Sequence, residues 1–81
     1  MPKEITIEYF AVFLQKRGVQ RETLQTESAT VRDLFAELKE KFGFTLPEHT
    51  VKVAVNEKVV PWNASLNSGD KVLFIPPIAG G

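Results

Sequence analysis

Residues Pro76 to Gly81, PPIAGG, join two ring-locked prolines to two glycines at the close of an apolar run. Prolines cannot extend a β-ladder, and they hold the backbone extended. At about 3.3 Å per residue, the six residues reach roughly 20 Å beyond a preceding strand. Gly80 and Gly81 have no Cβ, which suits a backbone that must approach another molecule closely. The chemistry this favours is presentation: a slim segment, Pro76, Pro77, Ile78, Ala79 and Gly80, threads a narrow channel and offers the Gly81 carboxylate to a partner's active site. Ordinary fraying of a chain end is the competing reading.

The remaining reactive residue types make no comparable pattern. His49 is the single histidine and lies in a loop-like LPEHT; without a cysteine in the chain it is a poor start for a metal site. Ser28, Ser65 and Ser68 stand in cap or turn contexts, and none has the G-x-S-x-G setting of a nucleophile. Gly69 has no phosphate-binding glycine loop around it. Glu37 and Glu40, with Lys41 nearby, read as a solvated helix surface, and Trp62 as a partly buried packing residue. No catalytic constellation and no metal site emerge.

Composition sets the frame. Eighty-one residues form one domain, near the lower size at which a core holds without staples. The absence of cysteine removes any disulfide framework and fits a reducing compartment. Ten basic and ten acidic residues cancel, unlike the basic excess of nucleic-acid-binding domains. The longest apolar stretch, Tyr9 to Leu14, is far too short to span a membrane, and no signal-peptide pattern opens the chain. A soluble cytoplasmic domain, with neither nucleic acid nor membrane as partner, is the expectation.

The elements that must carry the terminal segment follow from periodicity. EITIEYF alternates Ile5, Ile7 and Tyr9 against Thr6 and Glu8, which predicts a strand. Gly18 in the polar QKRGVQ predicts a hairpin turn into a second, polar strand, ETLQTE, anchored by Leu24. Val31, Leu34, Phe35, Leu38 and Phe42 then mark one face of a helix. Thr30 caps its start, Lys39 and Lys41 suit its end, and Gly43 is placed to terminate it. A strand over Val51 to Val55 leads through a turn at Asn56, Glu57 and Lys58 to a short strand limited by Pro61, and KVLFIP makes the last strand. The order predicts an α+β fold: a mixed sheet of four to five strands on one main helix, the β-grasp or ubiquitin-like roll. Its bounds are residues 1–75, with 76–81 as a flexible segment beyond them.

Particular stretches add a family resemblance. YFAVFL after the first strand, ATVRDLFAEL, VAVN and above all LNSGDKVLFIPPIAGG resemble the ubiquitin-like sulphur carriers of the MoaD/ThiS group, typified by the small subunit of molybdopterin synthase. The resemblance covers essentially the whole chain, and its ending is far more specific than a bare Gly-Gly. It implies that an E1-like adenylating partner uses ATP and magnesium to activate the Gly81 carboxylate. A sulphur donor then makes a thiocarboxylate, which passes sulphur to a pterin precursor in the large synthase subunit. No permanently bound cofactor is implied. It further implies docking through Phe10, Val59 and Ile75; strand parity independently turns Phe10 and Ile75 away from the helix-covered face. Where the group carries a Leu-Arg-Glu-like run, this chain has VFLQKRG, so a partner salt bridge from that run is absent or shifted to Lys16 or Arg17. The alternatives are a sulphur carrier for thiamine thiazole synthesis and a protein modifier conjugated through Gly81.

Overall fold

The computed structural model describes residues 2–77. The expected threading residues Ile78, Ala79, Gly80 and Gly81 therefore lie outside the described residues. The strands are β1 (Lys3–Tyr9), β2 (Arg21–Thr26), β3 (Lys52–Val55), β4 (Lys58–Val60) and β5 (Lys71–Ile75); the helices are α1 (Ala11–Arg17) and α2 (Val31–Phe42), with a 3-10 turn over Glu48–Thr50. The five strands form one mixed sheet in the order β2-β1-β5-β3-β4. β1 pairs antiparallel with β2 and parallel with β5, so the first and last strands run side by side at its centre.

Alternation builds the inner face. Ile5, Ile7 and Tyr9 of β1, Val53 of β3, and Val72 and Phe74 of β5 are at most 1% exposed. They meet Val31, Leu34, Phe35 and Leu38 from α2. Each such side chain contributes about 1.5–3 kcal/mol by leaving water. The predicted helix boundaries hold: Thr30 Oγ1 accepts from the Asp33 N–H at 3.2 Å, and Gly43 ends the helix at φ 73°. That left-handed conformation is open to glycine at little cost. Asn56 and Glu57, both at positive φ, form the tight turn between β3 and β4, and β4 stops before Pro61. Trp62 is partly buried, stacks on Phe74 and donates its indole N–H to the Val51 carbonyl at 3.2 Å.

The connection from β1 to β2 corrects the sequence reading. β1 and β2 do pair as a hairpin, but no tight turn joins them. The chain winds into α1 instead, and Gly18 is that helix's left-handed C-terminal residue, its N–H donating to the Leu14 carbonyl at 2.8 Å. The switch occurs at one peptide. Phe10 is still extended at φ −124° and ψ 148°, whereas Ala11 sits at φ 51°. A non-glycine residue there costs about 1–2 kcal/mol. Phe13, on the following turn, offsets this by inserting into the core at 1% exposure, edge-on to Phe35, Phe44 and Phe74.

Candidate functional site

The sheet has a second face without a helix. The same alternation that turns Val72 and Phe74 inward turns Leu73 and Ile75 outward. Register then aligns neighbours across strands: Leu73 opposes Ala54, and Ala54 opposes Val59. An apolar row thus crosses three strands on the open face. Val59 is 66% exposed. On its far side the row meets Glu8, the parallel partner of Leu73. Glu8 is held between Arg21 and Lys71, each at 3.4 Å, so its charge is balanced beside the apolar strip.

The parallel pairing of β1 and β5 sets what lies where the last strand ends. Tyr9 is level with Phe74, so the next residues, Phe10 and Ile75, emerge at the same end of the sheet. Phe10 is 51% exposed and Ile75 is half-buried. They share an open groove of about 740 Å³ with Ala11, Val12 and Gln15 of α1, Leu46, and Pro76 and Pro77. The two prolines therefore leave the centre of the sheet along an apolar wall. Phe10 and Ile75 turn away from α2, as their parity predicts, and border the groove, whereas Val59, expected only from the family resemblance, is exposed two strands away on β4. Leu73 and Ala54 link them. Neither was singled out from sequence, although Leu73 shares the parity of Ile75. Val12, 45% exposed on α1, was missed with the helix itself.

Electrostatics separates this face from the opposite side of α1. Arg17 forms a forked pair with Glu22, Nε to Oε2 at 2.8 Å and an Nη to Oε1 at 2.7 Å, while the Tyr9 hydroxyl donates to the same Oε2 at 2.5 Å. Hydrogen bonds from Arg17 above all, helped by the one from Tyr9, hold the Glu22 carboxyl below its usual range despite its partial burial. Burial and then the Glu22 hydrogen bond push the Tyr9 hydroxyl far up. Arg17 is thereby committed within the chain. Lys16 is exposed, and no ion pair is formed by it among the described residues. His49 is exposed in the 3-10 turn, away from the groove. Among the described residues, no three His, Cys, Asp or Glu side chains converge as a metal site. What the open face offers is an exposed apolar surface, continuous with Pro76 and Pro77.

Two hairpins wrapped on one main helix, with first and last strands parallel at the centre, define a ubiquitin-like β-grasp domain. The profile of the ThiS family matches residues 7–81, and the chain belongs to that family. It is similar to the molybdopterin synthase sulfur carrier subunit of Haemophilus influenzae, 29% identical over 80 residues spanning 95% of this chain and 99% of the relative. The subunit of the same name from Mycobacterium tuberculosis is 38% identical over 64 residues, 75% of this chain and 76% of the relative. A solved Pyrococcus furiosus structure, assigned as subunit 1 of a molybdopterin converting factor, superposes with a TM-score of 0.75 at 37% identity, covering 94% of this chain and 99% of that one.

Proposed function

We propose that this chain is a sulphur carrier of molybdopterin synthesis, working through the Gly81 carboxylate. One observation carries the reading beyond the family name: the apolar groove formed by Phe10, Val12 and Ile75 is continuous with Pro76 and Pro77. A partner gripping that surface stands where the terminal segment leaves the sheet. The names of the relatives support a synthase as destination. The partners are then the large synthase subunit, an E1-like adenylating enzyme and a sulphur donor.

A free carboxylate is a poor electrophile because it has no competent leaving group. In the adenylating partner, a Gly81 carboxylate oxygen attacks the α-phosphorus of magnesium-bound ATP and releases pyrophosphate. The sulphur nucleophile then attacks the carbonyl carbon of the acyl-adenylate and displaces AMP. Attack by a donor persulphide leaves an acyl disulphide. A thiol of the donor or of an added reductant cleaves its S–S bond, being oxidised to a disulphide as the thiocarboxylate is left on Gly81. The segment Pro76 to Gly81 then threads into the large subunit and gives the sulphur to the pterin precursor. The chain itself contributes the grip and the threading segment, and the partners contribute the catalytic groups. With no cysteine in the sequence, no side-chain thiol competes for the sulphur.

Intact-protein mass spectrometry with peptide mapping tests this. After incubation with the adenylating enzyme of its source organism, ATP, magnesium, a persulphide donor and a thiol reductant to cleave the acyl disulphide, the chain gains the mass difference between one sulphur and one oxygen on the peptide containing Gly81. Leaving out ATP abolishes the gain. A gain on an internal peptide, or one independent of ATP, contradicts the carrier chemistry. An isopeptide bond from Gly81 to lysines of other proteins, with no thiocarboxylate, points to a modifier instead.

A further inference from the structure

The groove beside Ile75 has one wall that the sheet does not hold. That wall is α1, a seven-residue helix with no side-chain cap at its N-terminus and a left-handed residue, Ala11, as its first. Helices this short are marginal without tertiary support. Phe13 alone is buried among its residues, and it anchors the middle of the helix. Rotation about that anchor would move Val12 and Gln15, the groove-lining residues, relative to Ile75.

Arg17, one turn after Phe13 on the same helical face, removes that freedom. Its guanidinium lies 3.9 Å from the centroid of the Phe42 ring at the end of α2. Its forked pair with Glu22 reaches β2, and Glu22 in turn accepts from Tyr9, the last residue of β1. Four elements thus converge on one guanidinium. A planar fork fixes direction as well as distance, which a point charge does not. Tyr9 immediately precedes Phe10 and pairs with Phe74, so the clamp is also one residue from both apolar residues at the root of the terminal segment.

We propose that Arg17, held by Glu22 and Tyr9, is a positioning residue that sets the α1 wall of the partner-docking groove; this rests on the sulphur-carrier reading for the identity of the partner. Arg17→Gln in the full chain tests it, with two readouts. In the free chain, amide hydrogen exchange of Phe13, Leu14 and Gly18, whose N–H groups close α1, rises at least about tenfold while α2 and β5 keep their protection. In calorimetric titration with the purified large synthase subunit, Kd rises about tenfold. Arg17→Lys, which keeps the charge and loses the fork, falls between the two. If Arg17→Gln does not fold, Tyr9→Phe removes a single hydrogen bond and shows the same selective exchange at smaller amplitude. Unchanged α1 exchange, or a uniform rise across the domain, overturns the proposal, as does an unchanged Kd in the folded variant. The exchange readout needs no partner. Failure of wild-type protein to acquire sulphur would sink the carrier reading while leaving the clamp to be judged on exchange alone.

Discussion

The two faces of the sheet are built from alternate residues of the same strands, yet they end differently. On β5, Val72 and Phe74 face α2 and are fully buried, while Leu73 and Ile75 face outward and remain partly open. On β3 and β4 the contrast is sharper: Val53 is 1% exposed and Val59 66%. Antiparallel sheets that expose one face ordinarily make it polar. The open side of this mixed sheet is polar on β1 and β2, where Thr6, Glu8, Arg21 and Thr23 stand, while on β5 and β3 Lys71 and Lys52 flank an apolar row. Hydrophobicity on the inner face is explained by the helix that covers it. Hydrophobicity on the β5-β3-β4 half of the outer face has no cover among the described residues, which is what the proposed partner docking requires.

Substitutions separate the two roles. The largest effect is expected from Phe10→Asp or Ile75→Asp, measured as affinity for the large synthase subunit. An unpaired charge buried in that complex costs about 3–5 kcal/mol. Phe10→Asp should at the same time leave the melting temperature nearly unchanged, since a surface substitution is worth about 0.5 kcal/mol or less. If Phe10→Asp melts the domain, Phe10 belongs to the core and the division into two faces fails. Leu38→Ala is the mirror experiment. Leu38 is completely buried on the inner face, and its truncation should cost about 2–5 kcal/mol in denaturant unfolding. Affinity measured on the fraction that stays folded should not change.

Glu22→Gln probes the clamp beside α1 and should cost about 1.5–3 kcal/mol, the scale of hydrogen bonds to a charged group. It also carries a pH signature. The folded Glu22 carboxyl titrates below its ordinary value of 4.5, so its stabilisation is complete above that pH and is lost as pH falls through the folded value. Wild type should therefore lose stability on acidification below about that range more steeply than Glu22→Gln. Parallel pH profiles for the two proteins would show that the clamp contributes nothing.

Much of the inner face was legible because its signals are local and redundant. For α2, a capping threonine, an i, i+3, i+4 apolar stripe and a terminating glycine all agree, and the helix runs over Val31–Phe42 as read. Pro61 and the β3–β4 turn likewise fall where single-residue preferences put them. α1 was lost because AVFL is apolar throughout and shows no period to separate helix from strand. The signal that could have found it is the Lys16-Arg17-Gly18 sequence, a basic last turn followed by a left-handed glycine. Phe10 is nevertheless exposed, since the backbone stays extended through that residue before Ala11 turns. The Arg17–Glu22–Tyr9 clamp depends on four elements meeting in space, and no short-range pattern encodes it. The row from Leu73 to Val59 needs the strand register, which the sequence does not state.

The central claim is that the open face, and not the helix-bearing side, receives the partner. Backbone amide shifts of isotope-labelled chain, followed by NMR during titration with the purified large synthase subunit, test it directly. The account predicts that the largest changes trace Val59, Ala54, Leu73, Ile75 and Phe10 and continue into Val12 of α1. Changes centred instead on the exposed side of α2, at Arg32, Asp33, Ala36 and Glu40, with the open sheet face silent, would contradict it.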